Sequence, residues 1–192
     1  MSPLLNRLAL TTIAFITISS FQPYSQTAMA QTYQTVKQSQ QFFKRGNKLY
    51  KRGKFAAAAT AFQQAKQLHP TFDHAYSLGM TYLNSLQNAK AIPVFREAIQ
   101  LEPNHRTAPF AYSHIGKAYL NLRQYAKAIA AYQQATIRLP KNTYFHENLG
   151  IAYHLNGQFP QAVRAYEQAL KLKPNNPDIR KVLEKARTGR KP

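Results

Sequence analysis

Four glycines in this chain are each followed by a proline 24 residues later: Gly46/Pro70, Gly79/Pro103, Gly116/Pro140 and Gly150/Pro174. Inside each pair come an alanine, an aromatic residue and a second alanine at constant spacing. The sets are Ala58, Phe62 and Ala65; Ala91, Phe95 and Ala98; Ala128, Tyr132 and Ala135; and Ala162, Tyr166 and Ala169. Successive glycines lie 33, 37 and 34 residues apart, so length varies only at the junctions, with a short insertion around Asn104 to Ala108. A chain built this way stacks its copies and buries a continuous core between neighbours.

The spacing is helical. Ala58, Ala59, Phe62 and Ala65 fall on one face, with Gln63, Gln64 and Lys66 turned elsewhere. Alanine at two fixed places lets a partner helix approach closely, and the aromatic between them fills the remaining gap. A glycine inside a helix costs about 0.5–1 kcal/mol relative to alanine, so its recurrence points to close packing on the partner helix. Each proline ends the second helix of its copy, because the residue before it is driven out of the helical region. Pro93 lies early in a second helix, where it predicts a bend or a frayed first turn. Arg138 stands where the other copies have Leu68, Leu101 and Leu172, and Leu139 is expected to take over its packing.

These registered columns resemble the tetratricopeptide-repeat (TPR) family over residues 39–176. The resemblance implies an all-α, right-handed solenoid of four helix-turn-helix units, 39–71, 72–108, 109–142 and 143–176. The family's tryptophan column holds Phe42, Ala75, Tyr112 and His146, and the first copy has Arg45 before its Gly and Leu49 in place of Tyr, as suits a terminal unit. After the last unit Pro177 opens a helix whose stripe of Ile179, Val182, Leu183 and Ala186 reads as a cap within 177–192, with Arg180, Lys181, Lys185 and Arg187 facing water.

In the family, first helices line a concave groove that receives a peptide or a partner helix. Carried onto this chain, the lining is Phe43, Asn47 and Tyr50; Tyr76, Met80 and Asn84; Ser113, Lys117 and Asn121; and Glu147, Ile151 and His154. The lysine, asparagine and arginine set with which some members clamp a carboxylate tail has only Asn47 here, with Phe43, Ser77, Phe110 and His114 at its other places. No such clamp is expected.

Residues 1–30 differ in kind. Arg7 precedes an apolar run from Leu8 to Ile18, and a polar stretch leads to Ala28-Met29-Ala30, the anatomy of a cleaved secretory signal. The run is shorter than the roughly 20 residues that span a bilayer, although retention of the segment as an anchor is the alternative. Residues 31–38 form an extension before the first unit, and the exported chain would be periplasmic or in an equivalent extracytoplasmic space.

The full chain carries +19, and +18 without Arg7. Eight Lys/Arg and no acid lie between Gln31 and Phe72, including the patch Lys44, Arg45, Lys48, Lys51, Arg52 and Lys54. Eight more lie between Lys171 and Pro192 against Asp178 and Glu184. Such ends suit an anionic glycan or membrane surface, or serve only solubility. Nucleic acid is disfavoured by the signal and by aromatics committed to packing. There is no cysteine, no His pair at helical zinc spacing, no phosphate loop and no nucleophile elbow, so neither enzyme chemistry, a metal nor a cofactor is expected. The expected function is a non-catalytic, exported scaffold for a protein or peptide partner, with adhesion to anionic glycan or lipid through the basic ends as the alternative. Intact mass of the protein recovered from its host should lack residues 1–30, whereas a full-length species held in membrane would overturn processing after Ala30.

Overall fold

The computed structural model describes residues 3–189, with side chains from residue 26 onward. Among these residues there are nine helices and no strand: α1 (Pro3–Lys51), α2 (Phe55–Leu68), α3 (Phe72–Asn84), α4 (Asn88–Leu101), α5 (Ala108–Asn121), α6 (Tyr125–Arg138), α7 (Thr143–Leu155), α8 (Phe159–Leu172) and α9 (Pro177–Arg187). Each packs chiefly on its neighbours in sequence, and α3 also touches α5. This is the expected all-α, right-handed solenoid of paired helices with α9 closing the last pair.

Residues 31–38 are helical and continuous with the first helix of the first unit. Ser39 is buried there, and its hydroxyl donates to the Ala65 carbonyl at 2.8 Å. The apolar run from Leu8 to Ile18 lies outside the residues whose side chains are described. Ala28 and Ala30 are described, and both are exposed on α1.

The repeated columns have a single packing meaning. A Cβ placed on Gly46, Gly79, Gly116 or Gly150 would lie 2.6, 2.8, 2.8 or 2.5 Å from the ring of Phe62, Phe95, Tyr132 or Tyr166. Each first helix therefore rests its bare backbone on the aromatic face of its own second helix. The alanines flanking each ring are fully buried, which lets adjoining helices close over it.

Three helix starts among the described residues use side-chain caps that fix the chain's re-entry, one of them Asn142, which accepts from the Phe145 N–H at 3.2 Å. Thr71 accepts from the His74 N–H at 3.2 Å, and Asn176 accepts from the N–H groups of Asp178 and Ile179 at 3.0 and 3.2 Å. The residue seven after each repeat glycine turns the chain between paired helices. It is left-handed at Gly53 and Gly157, and also at Leu86 (φ 61°) and Arg123 (φ 56°), where a side chain makes that conformation strained. The insertion at the second junction folds back on the core, where His105 stacks on Phe72 at 3.9 Å.

Three expectations need correction. The first turn of α4 is not frayed, since the N–H groups of Lys90 and Ala91 both donate to the Gln87 carbonyl at 3.0 and 3.1 Å. Pro93 is exposed, so the carbonyl left without its helical donor, that of the exposed Ala89, lies at the solvent side of the helix. Nor is there buried leucine packing for Leu139 to take over, since Leu101 and Leu172 are themselves 40% and 39% exposed and Leu139 is 36% exposed. Arg138 itself lays its guanidinium over the Tyr112 ring at 4.3 Å. The apolar stripe of the cap docks as expected, with Ile179, Leu183 and Ala186 buried and Val182 half-buried. Of the cap cations expected to face water, however, Lys185 is half-buried and Arg187 turns back to Glu167 on α8 at 3.1 Å.

Replacing Gly116 with Ala should destabilise the protein by roughly 1–3 kcal/mol, the usual cost of overpacking. The penalty should shrink when Tyr132 is also changed to Leu. Denaturant melts of the four-member cycle measure this, and an additive cycle would show that the ring is not what opposes the new methyl.

Candidate functional site

The first helices of successive units place their exposed stripes side by side. Asn47 and Tyr50 of α1 meet Tyr76, Ser77 and Met80 of α3 around a cleft of about 230 Å³ floored by Phe62. Four of the residues expected to line the groove therefore come together. Phe62 and Ser77 escaped the sequence reading because Phe62 belongs to a packing column and Ser77 lies one residue beyond the lining column.

The cleft is braced between units. Asn84 donates an amide hydrogen bond to the Tyr50 hydroxyl, joining α3 to α1. Asn121 on α5 donates to the Asn88 side-chain oxygen at the start of α4, at 3.0 Å. Both asparagines are exposed but engaged, where sequence reasoning placed them simply at the groove surface. Tyr76 stacks on Phe72 at 5.5 Å and meets the Phe95 edge at 5.7 Å. Burial, with Tyr50 nearby, pushes its phenol up to about 12, so it stays protonated and can donate.

Beneath Tyr76 lies His114, which the groove columns did not select. Its Nε2 is 3.0 Å from the Tyr76 hydroxyl, and its ring stacks on Phe95 at 5.5 Å. Burial takes the imidazole down to about 4, and Lys117 adds to the effect. The neutral ring joins α3 to α5 under the groove. Its position two residues before a repeat glycine is the signal that could have marked it, since Ser77 occupies the same place in the preceding unit.

The remaining expected residues divide. Lys117 is exposed, and Phe43 is half-buried against the rings of Phe62 and His74 at 5.5 and 4.8 Å. Ile151 is half-buried in the cluster that seats α9. Glu147 is half-buried, and desolvation, followed by Asp178, raises its carboxyl while Lys173 opposes the shift. Ser113 and His154 are each only 2% exposed and do not line the groove. The His154 ring instead meets Phe159 and Tyr166 of α8 at 5.4 and 6.2 Å. It lies four residues after its glycine, as Tyr50 does, and like Tyr50 against Phe55 (5.6 Å) it meets the first ring of its own second helix. Its shorter side chain stays buried there. Asn84 and Asn121 lie five residues after their glycines. One residue turns the side chain by about 100°, toward its own second helix. Ser113 is a short side chain, enclosed on a helix that neighbours flank on both sides.

The patch of Lys44, Arg45, Lys48, Lys51, Arg52 and Lys54 is exposed throughout, and none of the ion pairs among the described residues involves it. Among the described residues no three His, Asp or Glu side chains gather as a metal set would.

A tetratricopeptide-repeat family model matches residues 43–109 and 115–177. Among solved structures the chain is similar to a MamA protein at 24% identity, with a TM-score of 0.74, covering 79% of this chain and 82% of that one. MamA from Desulfovibrio magneticus RS-1, from its residue 41 to the end, is 20% identical with a TM-score of 0.72, covering 79% and 84%. YrrB, described as a TPR protein with an unusual peptide-binding site, is 18% identical with a TM-score of 0.68, covering 76% and 74%. At these identities the likeness is one of fold. No curated protein sequence matches the chain.

Because His114 resists protonation when folded but not when unfolded, the unfolded chain takes up that proton first as pH falls below about 6.5. Stability should therefore decline between pH 6.5 and about 4, by up to roughly 3 kcal/mol from this group, and then level off for it. His74, also lowered by burial, adds in the same direction. Thermal melts across that range should show a flatter decline for His114→Gln, and an unchanged slope would remove His114 as the cause.

Proposed function

The chain belongs to the tetratricopeptide-repeat family, and from that premise we propose that it is an exported, non-catalytic scaffold that holds a peptide segment of a protein partner in its inner groove. The observation that carries this reading is the cleft itself, where the Asn47 amide and the Tyr50 hydroxyl stand beside the Met80 thioether and the Tyr76 ring. An aromatic and thioether floor supplies apolar contact at low ordering cost, and the amide and hydroxyl at its rim satisfy a bound backbone. That YrrB is described as having a peptide-binding site supports the class of ligand.

Export rests on the Leu8 to Ile18 run with Ala28 and Ala30 behind it, and places the scaffold's work in an envelope or membrane assembly outside the cytoplasm. A second reading has its own observation. Six exposed cations between Lys44 and Lys54, with no acid from Gln31 to Phe72, favour contact with an anionic glycan or lipid surface through the first unit. The two readings differ in salt response, because screening weakens exposed charge contacts and leaves apolar ones.

Affinity capture from envelope extract separates them. Replacing Tyr50 and Met80 together with Ala should weaken capture of the partner by about thirtyfold or more, as loss of an interface centre does, while the fold is retained. Replacing Lys44, Lys48, Lys51 and Lys54 with Gln should leave that partner bound. The opposite pattern, with binding lost in salt, would move recognition to the basic end.

A further inference from the structure

The molecule has a second kind of surface, the seams between neighbouring second helices, each floored by the first helix between them. The repeats provide an internal comparison. Between α2 and α4, Lys66 meets Glu97 at 2.5 Å. At the C-terminal end, where α9 packs directly on α8, Arg187 meets Glu167 across the pair at 3.1 Å and Glu184 within α9 at 2.8 Å. Between α6 and α8, the neutral Gln133 donates to the Tyr153 hydroxyl at 2.7 Å.

The central seam, between α4 and α6 over α5, has the cations without the carboxylate. Arg96 donates to the Tyr119 hydroxyl at 2.9 Å, Lys127 lies 5.7 Å from the centre of the same ring, and Arg138 covers Tyr112 at 4.3 Å. None of the ion pairs among the described residues falls here. The place Glu97 fills in its unit, 18 residues after the repeat glycine, holds Gln134, whose oxygen accepts from Arg138 at 2.5 Å. Arg96, Tyr112, Tyr119, Lys127 and Gln134 border a cleft of about 250 Å³. Its floor is apolar, since Ile115 and Tyr119 are buried.

We propose that this seam is a docking site for an acidic segment of a protein partner, whose carboxylates take the place that Glu97 fills between α2 and α4. The tyrosines hold the three cations in position, so little side-chain freedom is lost when a carboxylate arrives. A guanidinium has five N–H donors, and the contacts at Arg96 and Arg138 leave several unused in the planar array that matches a carboxylate. A second copy of this chain is a poor occupant. It carries +19 with seven acids, and Glu97, Glu167 and Glu184 are already paired. The site is independent of the inner groove: Ile115 and the groove residue Lys117 lie two positions apart on α5, about 200° round the helix.

Fluorescence anisotropy of a labelled peptide rich in Glu and Asp, titrated with the full chain at low and at physiological ionic strength, tests this. Gln134→Glu supplies the missing carboxylate without removing a cation and should weaken binding about tenfold, as should Arg138→Gln, each removing charge-assisted hydrogen bonds. Gln67→Glu makes the same charge change on α2 and should stay within about twofold, the scale of an exposed charge. Melting midpoints confirm that the variants fold. Equal effects of Gln134→Glu and Gln67→Glu would show attraction by net charge alone and overturn the proposal. So would a Gln134→Glu variant that loses sulfated glycan or anionic vesicles but keeps the peptide.

Discussion

Everything in this fold depends on one contact made four times, a helix backbone without a side chain lying on an aromatic ring. With Cβ space of 2.5 to 2.8 Å at the four repeat glycines, the helices of each pair approach closer than any side chain permits. The ring's width and the flanking alanines then set how the next pair stacks. Because every pair is built alike, first helices collect on one side and second helices on the other. The inner groove and the outer seams are both consequences of that sorting.

The same contact explains why the fold was legible in the sequence and the site only partly so. Packing columns tolerate few residue types, and Gly, Ala, aromatic and Pro recur at constant spacing. Groove columns face outward, where residue type is unconstrained and register must be counted. Asn47, Tyr50, Tyr76 and Met80 were counted correctly and share a cleft. His154 shares Tyr50's register, four residues after its glycine, but its shorter ring turns onto its own second helix and is buried, a difference of side-chain reach that counting does not show. Leu86 and Arg123 were invisible as turn residues because glycine signals a left-handed conformation and they are not glycine. Arg138 stands in a leucine column, and only the structure shows its planar group lying over the Tyr112 face, an attraction that a leucine lacks.

Charge in this molecule is organised by what opposes it. With 26 basic and seven acidic side chains, most cations have no carboxylate to meet. On the first unit they stand in water, where screening makes each worth little. In the central seam tyrosines hold three exposed cations over an apolar floor, so what distinguishes them is fixed geometry around one cleft. Net charge alone says nothing about this difference, which is why the basic ends dominate the sequence and the seam becomes visible only in three dimensions.

Stacked repeats hold together through nearest-neighbour interfaces, so what bridges two units matters more than what decorates one. Three side-chain bridges lie at or beneath the groove: Asn84 to Tyr50, Asn121 to Asn88, and His114 to Tyr76. A ligand that takes the Tyr50 hydroxyl competes with Asn84 and loosens the first interface unless it restores an equivalent bond across it. A ligand that contacts α1 and α3 together restores one and tightens the pair. Recognition in such a groove is therefore biased toward extended or helical segments long enough to span two units, and against small groups that satisfy only one.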